Sequence, residues 1–102
     1  MKITLLGRHP SPAEHIVFPE GIPTTSLPYY EKMRVNCIDW IWEHYNHNED
    51  AVVELYVEGF TPLTIAFVMA WESFYLSDKH TLFLMHHQPD GTYRAQEWHR
   101  CL

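Results

Sequence analysis

Ile3, Leu5 and Leu6 surround Thr4 just after Lys2, and the run stops at Gly7, the pattern of a short strand that enters the core at once. A loop, Gly7-Arg8-His9-Pro10-Ser11-Pro12, follows it. From Ala13 to Ser26 the pattern weakens and is broken by Pro19, Gly21 and Pro23, so this stretch reads as mostly irregular, with a brief edge strand open to residues 15–18. Ser26 ahead of Pro28, with Glu31 in the first turn, marks a helix start. Ile38, Ile41, Trp42 and Tyr45 then recur at helical spacing, and the helix should stop near Asn46-His47-Asn48.

AVVELYV over 51–57 is β-branched, aromatic and almost wholly apolar, as expected of a central strand covered on both faces, and Gly59 ends it. Thr61-Pro62 supplies a cap and a first-turn proline, and residues 63–75 continue as helix. HTLFLMH over 80–86 is a third buried-type strand, and Gln88-Pro89-Asp90-Gly91 turns the chain into a polar-alternating strand over 92–97. The sum is one α/β domain: a β-α-β-α-β core on a short parallel sheet, closed by a C-terminal β-hairpin.

The second helix carries a further implication. Leu63, Ile65, Ala66, Phe67, Val68, Met69, Ala70, Trp71, Phe74 and Tyr75 cover nearly its whole circumference, and such a helix wants burial on every side. One small sheet covers only one side, so helix 62–75 is expected to pack against a second copy, giving a homodimer.

Composition narrows the class. A chain of 102 residues holds one core, and with 46% hydrophobic and 20% charged residues it has ample apolar surface for folding. Its longest apolar run, from Ile65 to Trp71, is far short of the roughly 20 residues that span a bilayer, and no signal pattern opens the chain, so no membrane association is expected and a cytoplasmic location is the default. The net charge of −6 argues against long nucleic acid as a partner but leaves room for a small anion in a local pocket. Cys37 falls within a helical pattern, reads as a core residue and has no activating neighbour in sequence.

In open α/β sheets ligands bind beyond the carboxyl ends of the parallel strands, a rule that gathers Gly7-Arg8-His9, Glu58-Gly59-Phe60-Thr61 and His86-His87-Gln88 on one rim. Gly59 permits close backbone approach, and Thr61 with the first amides of its helix offers donors to a phosphate; taken alone, Thr-Pro is also an ordinary helix start. Arg8 can grip a phosphate with two bonds and His9 can exchange protons near neutral pH, while both also read as solvated loop residues. His86 and His87 are neighbours in a strand, so only one should face a pocket. Eight histidines raise a metal reading, and His44 with His47 could share a helical face, but that spacing is nonspecific and neither metal nor cofactor is expected. No GxSxG, Walker loop or GxGxxG is present.

Leu-Gly-Arg-His-Pro at 6–10, Leu-Tyr-Val-Glu-Gly-Phe-Thr-Pro-Leu at 55–63 and Leu-Phe-Leu-Met-His-His at 82–87 together resemble the small CRISPR-associated proteins of type III systems that carry a minimal Rossmann-type, CARF-like domain. The resemblance covers about half the chain. It implies a small three-layer Rossmann-like domain that holds a cyclic oligoadenylate and, in the ring nucleases among these proteins, cleaves it and switches off antiviral signalling. The site it implies uses His9 as general acid or base, Arg8 as phosphate clamp, and Gly7, Gly59, Phe60, Thr61, His86 and His87 as ligand contacts. A two-fold dimer would suit a cyclic tetraadenylate, with a ribose 2′-hydroxyl attacking its neighbouring phosphate without metal. A nucleotide-binding regulator without catalysis, or a dimeric interaction module, are the alternatives.

Overall fold

The computed structural model describes residues 1–22, 27–44, 51–73 and 80–99. Its elements in chain order are β1 (Lys2–Thr4), β2 (His15–Ile16), α1 (Leu27–His44), β3 (Ala51–Tyr56), α2 (Thr61–Glu72), β4 (His80–His87) and β5 (Tyr93–Trp98). They form one five-stranded sheet of order β2-β1-β3-β4-β5. The first four strands run parallel, with Ile3 beside Leu55 and Leu55 beside Leu84, and β5 closes the sheet antiparallel to β4. The α/β class, the parallel sheet and the C-terminal hairpin agree with the sequence reading. The helix-start signal at Ser26, the stop at Asn46-His47-Asn48 and the apolar residues Tyr45, Phe74 and Tyr75 lie outside the described residues.

The strands alternate cleanly between two faces. Ile3, Val53, Leu55, Leu82 and Leu84 are buried and belong to one cluster with Met33, Cys37 and Ile41 of α1 and Leu63, Ala66, Phe67, Ala70 and Trp71 of α2. The two helices also pack against each other, so both lie on one face of the sheet. The described helices therefore make two layers, where a Rossmann-like domain of three was expected. The cause is the winding: the steps from β1 to β3 and from β3 to β4 go the same way across the sheet, and right-handed crossovers in one direction place their helices on one side. The β3 strand is accordingly covered by helices on one face only, with Val53 buried and Val52 half exposed.

Helix burial also differs in detail. Positions 33, 37 and 41, spaced by four, form the buried stripe of α1, while Trp42 points outward at 67% exposure. In α2, Ile65 and Met69 are 52% and 53% exposed, so this helix has one uncovered apolar edge.

The short edge strand β2 is reached from β1 by a loop with no helix. It is held by amides of Glu14, Val17 and Phe18 donating to the carbonyls of Lys2, Thr4 and Leu5. That loop needs Gly7, whose φ of +68° lies in the left-handed region. A Cβ there would also meet Ile16 Cδ1 at 2.7 Å, a contact relieved by swinging the exposed Ile16 side chain. Gly7→Ala should thus cost mainly the backbone term, about 1–2 kcal/mol, seen as a lower urea midpoint at unchanged slope; an unchanged midpoint would show that the loop can leave this conformation.

Cys37 is fully buried, and burial pushes its thiol up to about 12. In a Cys101→Ser chain the thiol should therefore ignore thiol reagents at pH 8 until denaturant is added. Because the unfolded thiol ionises near about 8.5, stability should be unaffected by Cys37 below that pH and decline as pH rises toward 12. Flat stability over that alkaline range in the Cys37 chain, relative to Cys37→Ala, would contradict this.

Candidate functional site

The chain leaves β1 toward β2 on one side and leaves β3 through α2 toward β4 on the other. Loops that diverge from neighbouring parallel strands open a crevice at their carboxyl ends. A cleft of about 590 Å³ sits there, lined by Thr4, His9, Pro10, Ser11, Tyr56, Val57, Glu58, Gly59, His87 and Tyr93. A smaller one of about 160 Å³ adjoins it between Leu6, Arg8, His9, Glu58, Gly59 and Phe60. His9, Glu58 and Gly59 line both.

Glu58 organises this region. Its Oε2 accepts the Leu6 amide and its Oε1 accepts the Arg8 amide, each at 2.7 Å. One carboxylate thereby ties the loop after β1 to the loop after β3, across the divide between the two chain directions. Both bonds are to an ionised acceptor and so are stronger than neutral ones. They also mean that these two amides serve the fold rather than a ligand.

The cleft's far wall is aromatic. Tyr56 and Tyr93 meet edge to face with ring centres 4.9 Å apart, and Tyr93 meets His87 in the same manner at 5.4 Å. Sheet register explains the grouping, because His87 pairs directly with Tyr93, and Thr4 and Tyr56 share their face, opposite the helices. Burial, with help from the Glu54 carboxylate that accepts the Tyr56 hydroxyl, raises Tyr56 above its ordinary range, so it stays protonated and neutral at physiological pH. Thr4, buried at this wall, donates its hydroxyl to the Tyr56 carbonyl.

The start of α2 differs by one position from the sequence reading. Phe60 is the cap residue, Thr61 is already helical, and no side chain caps the helix. Pro62 has no amide proton, and the amides of Leu63 and Thr64 both point to the Phe60 carbonyl. The helix therefore offers an anion fewer donors than a free N-terminus would. Thr61 is exposed and lines neither cleft. Gly59 has neither a left-handed φ nor any atom within 4 Å of where a Cβ would stand, so the fold of the free chain gives it no reason to be glycine.

Of the residues singled out in sequence, His9, Gly59 and His87 come together at the larger cleft, and Arg8 and Phe60 line the smaller. His86 turns to the helix face of the sheet, where its Nε2 bonds Gln96 Oε1 at 2.8 Å; as expected, only one of the adjacent histidines faces the cleft. Gly7 shapes the loop from behind. Sequence reasoning missed Thr4, Ser11, Tyr56 and Tyr93 as lining residues and the anchoring role of Glu58. His44 bonds the Trp40 carbonyl and stacks on Trp40, His47 lies outside the described residues, and no three metal-binding side chains gather among the described residues. Among those residues no helix is long and apolar enough to cross a membrane.

The arrangement defines an α/β domain with a mostly parallel sheet and a cleft at its switch point. No known family model matches the chain, and no match was found among curated proteins or solved structures.

Replacing the anchor tests this geometry. Glu58→Ala leaves the Leu6 and Arg8 amides without their acceptor and should cost about 1–3 kcal/mol, measured by thermal unfolding. Gly59→Ala should leave stability unchanged or raise it by about 0.5 kcal/mol, through the unfolded chain. A Glu58→Ala protein as stable as its parent would show that the two loops hold their places without the carboxylate.

Proposed function

We propose that this protein is a ring nuclease that binds and cleaves a cyclic oligoadenylate, cyclic tetraadenylate in the first instance, and so ends type III CRISPR signalling. The observation that carries the reading is the convergence, at the carboxyl ends of β1 and β3, of a proton-exchanging imidazole from His9, the nearby Arg8 guanidinium, and an unobstructed glycine backbone at Gly59. The sequence resemblance names the ligand class; the cleft supplies groups suited to it.

In this reading a ribose 2′-hydroxyl attacks the adjacent phosphorus and the 5′-oxygen departs, leaving a 2′,3′-cyclic phosphate. The cleft aligns the attack, His9 moves a proton, and Arg8 with the backbone at Gly59 meets the charge on the phosphate. The chain works as a homodimer so that two equivalent loop sets meet a two-fold symmetric ring. Helix α2 is the proposed contact, since Ile65 and Met69 stand exposed beside an apolar groove of Val68, Leu84 and Trp98 that a second copy would cover.

The test is incubation of purified protein with cyclic tetra- and hexaadenylate in EDTA, with linear products followed by chromatography. Cleavage is expected, falling at least about 100-fold in His9→Ala. Gly59→Ala, tolerated by the fold, should weaken ligand binding. Binding without cleavage would replace the enzyme with a sequestering or sensing protein, and the absence of both would overturn the reading.

A further inference from the structure

We propose that His87 is the second proton-transfer residue of this site, acting on the ligand from the side opposite His9. The inference rests on the ring nuclease reading and adds to it the division of acid and base between two imidazoles.

The geometry is that of two walls. His9 stands on the loop after β1 and His87 is the last residue of β4; both are exposed, and both line the same cleft. Strand β3 lies between β1 and β4, so β1, from which the His9 loop departs, and β4, which carries His87, are two sheet spacings apart, about 10 Å. A phosphodiester cleaved by in-line attack has its entering and leaving oxygens on opposite sides of phosphorus. Acid and base must then approach from opposite sides, which two imidazoles on facing walls can do and a single one cannot.

Each imidazole is also braced. The loop of His9 is pinned by Glu58 through the neighbouring Arg8 amide. The ring of His87 is met edge on by Tyr93, itself packed on the buried Tyr56. The other ionisable groups of the cleft are poorly suited to the task. Both Glu58 oxygens accept backbone amides, and the Tyr56 hydroxyl, raised by burial, donates to the Glu54 carboxylate. The groups around His87 are Tyr93 on β5, Tyr56 on β3 and Asp90 in the hairpin turn, whose carboxylate is held below its ordinary range chiefly by hydrogen bonds from Thr92. Those around His9 are Arg8 and Glu58.

In the step itself one neutral imidazole takes the 2′-hydroxyl proton as the O2′–P bond forms. The P–O5′ bond breaks, and the departing oxygen takes a proton from the other, protonated imidazole. Each histidine ends in the opposite protonation state, and exchange with water restores both.

The deciding experiment is a single-turnover pH profile, from pH 5 to 9 in EDTA, of cyclic tetraadenylate cleavage by the wild type and by His9→Ala, His87→Ala and His87→Gln, with the affinity of each variant for the intact ring measured in parallel. A bell-shaped wild-type profile is expected. Each single variant should lose one limb and at least about 100-fold in rate while binding within a few-fold of wild type, and a chain carrying both His9→Ala and His87→Ala should be little worse than the poorer single one. Cleavage by the His87 variants at the wild-type rate with both limbs intact would overturn the role of His87 and leave the ring nuclease standing. Loss of ring binding in both His87 variants would assign His87 to ligand contact and likewise overturn it. A wild type that binds or ignores the ring without cleaving it would fail the functional reading itself.

Discussion

Two crossovers that step the same way across a parallel sheet constrain everything else in this molecule. Right-handed connections from β1 to β3 and from β3 to β4 put α1 and α2 side by side on one face. The buried halves of the strands and the buried stripes of both helices then merge into one core. The opposite face keeps Thr4, Tyr56, Met85, His87 and Tyr93, and its upper end becomes a wall of the cleft. A third layer would need the winding to reverse through a helix. The chain does reverse between β1 and β2, but through a loop only, so it gains a crevice at that reversal and no covering helix.

The crevice stays in shape because of Glu58. Loops that diverge have no backbone ladder to hold them together, and a pair of charge-assisted bonds from one carboxylate does that work at the point of divergence. The consequence for ligand binding is a trade: amides that could have met a phosphate are committed to the fold, and Pro62 removes another at the start of α2. What remains for a ligand is the open backbone at Gly59 and side-chain chemistry, namely the Arg8 guanidinium, imidazoles, hydroxyls and aromatic edges.

Much of the fold was legible in local pattern. The β-branched run at 51–57, the Thr-Pro helix start and the Pro-Asp-Gly turn each follow from short-range preference, and the structure places them within a residue or two. The layer count was not legible, because it depends on the direction of successive crossovers, which no single segment encodes. The aromatic wall was hidden for a related reason: Tyr56 and Tyr93 are far apart in sequence and meet only through the register that sets His87 against Tyr93. Glu58 stood in the expected rim loop, yet nothing in a glutamate before a glycine says that its two oxygens will reach amides 52 and 50 positions back. Trp42 misled in the other direction, since its spacing fits the apolar stripe of α1 while the buried stripe runs one step away through Met33, Cys37 and Ile41.

A chain of net charge −6 that takes a polyanion has to do so with little standing positive charge. Two imidazoles in one cleft change the terms of that problem, because their charge is set by pH. A proton taken up by either one adds positive charge that faces the phosphate. Proton transfer, in contrast, needs one imidazole charged and the other neutral. In the proposed site the protonation that most favours binding is therefore not the one that favours cleavage. A fixed cluster of lysines and arginines would separate the two far less, and the scarcity of such residues around this cleft is what couples its electrostatics to its chemistry.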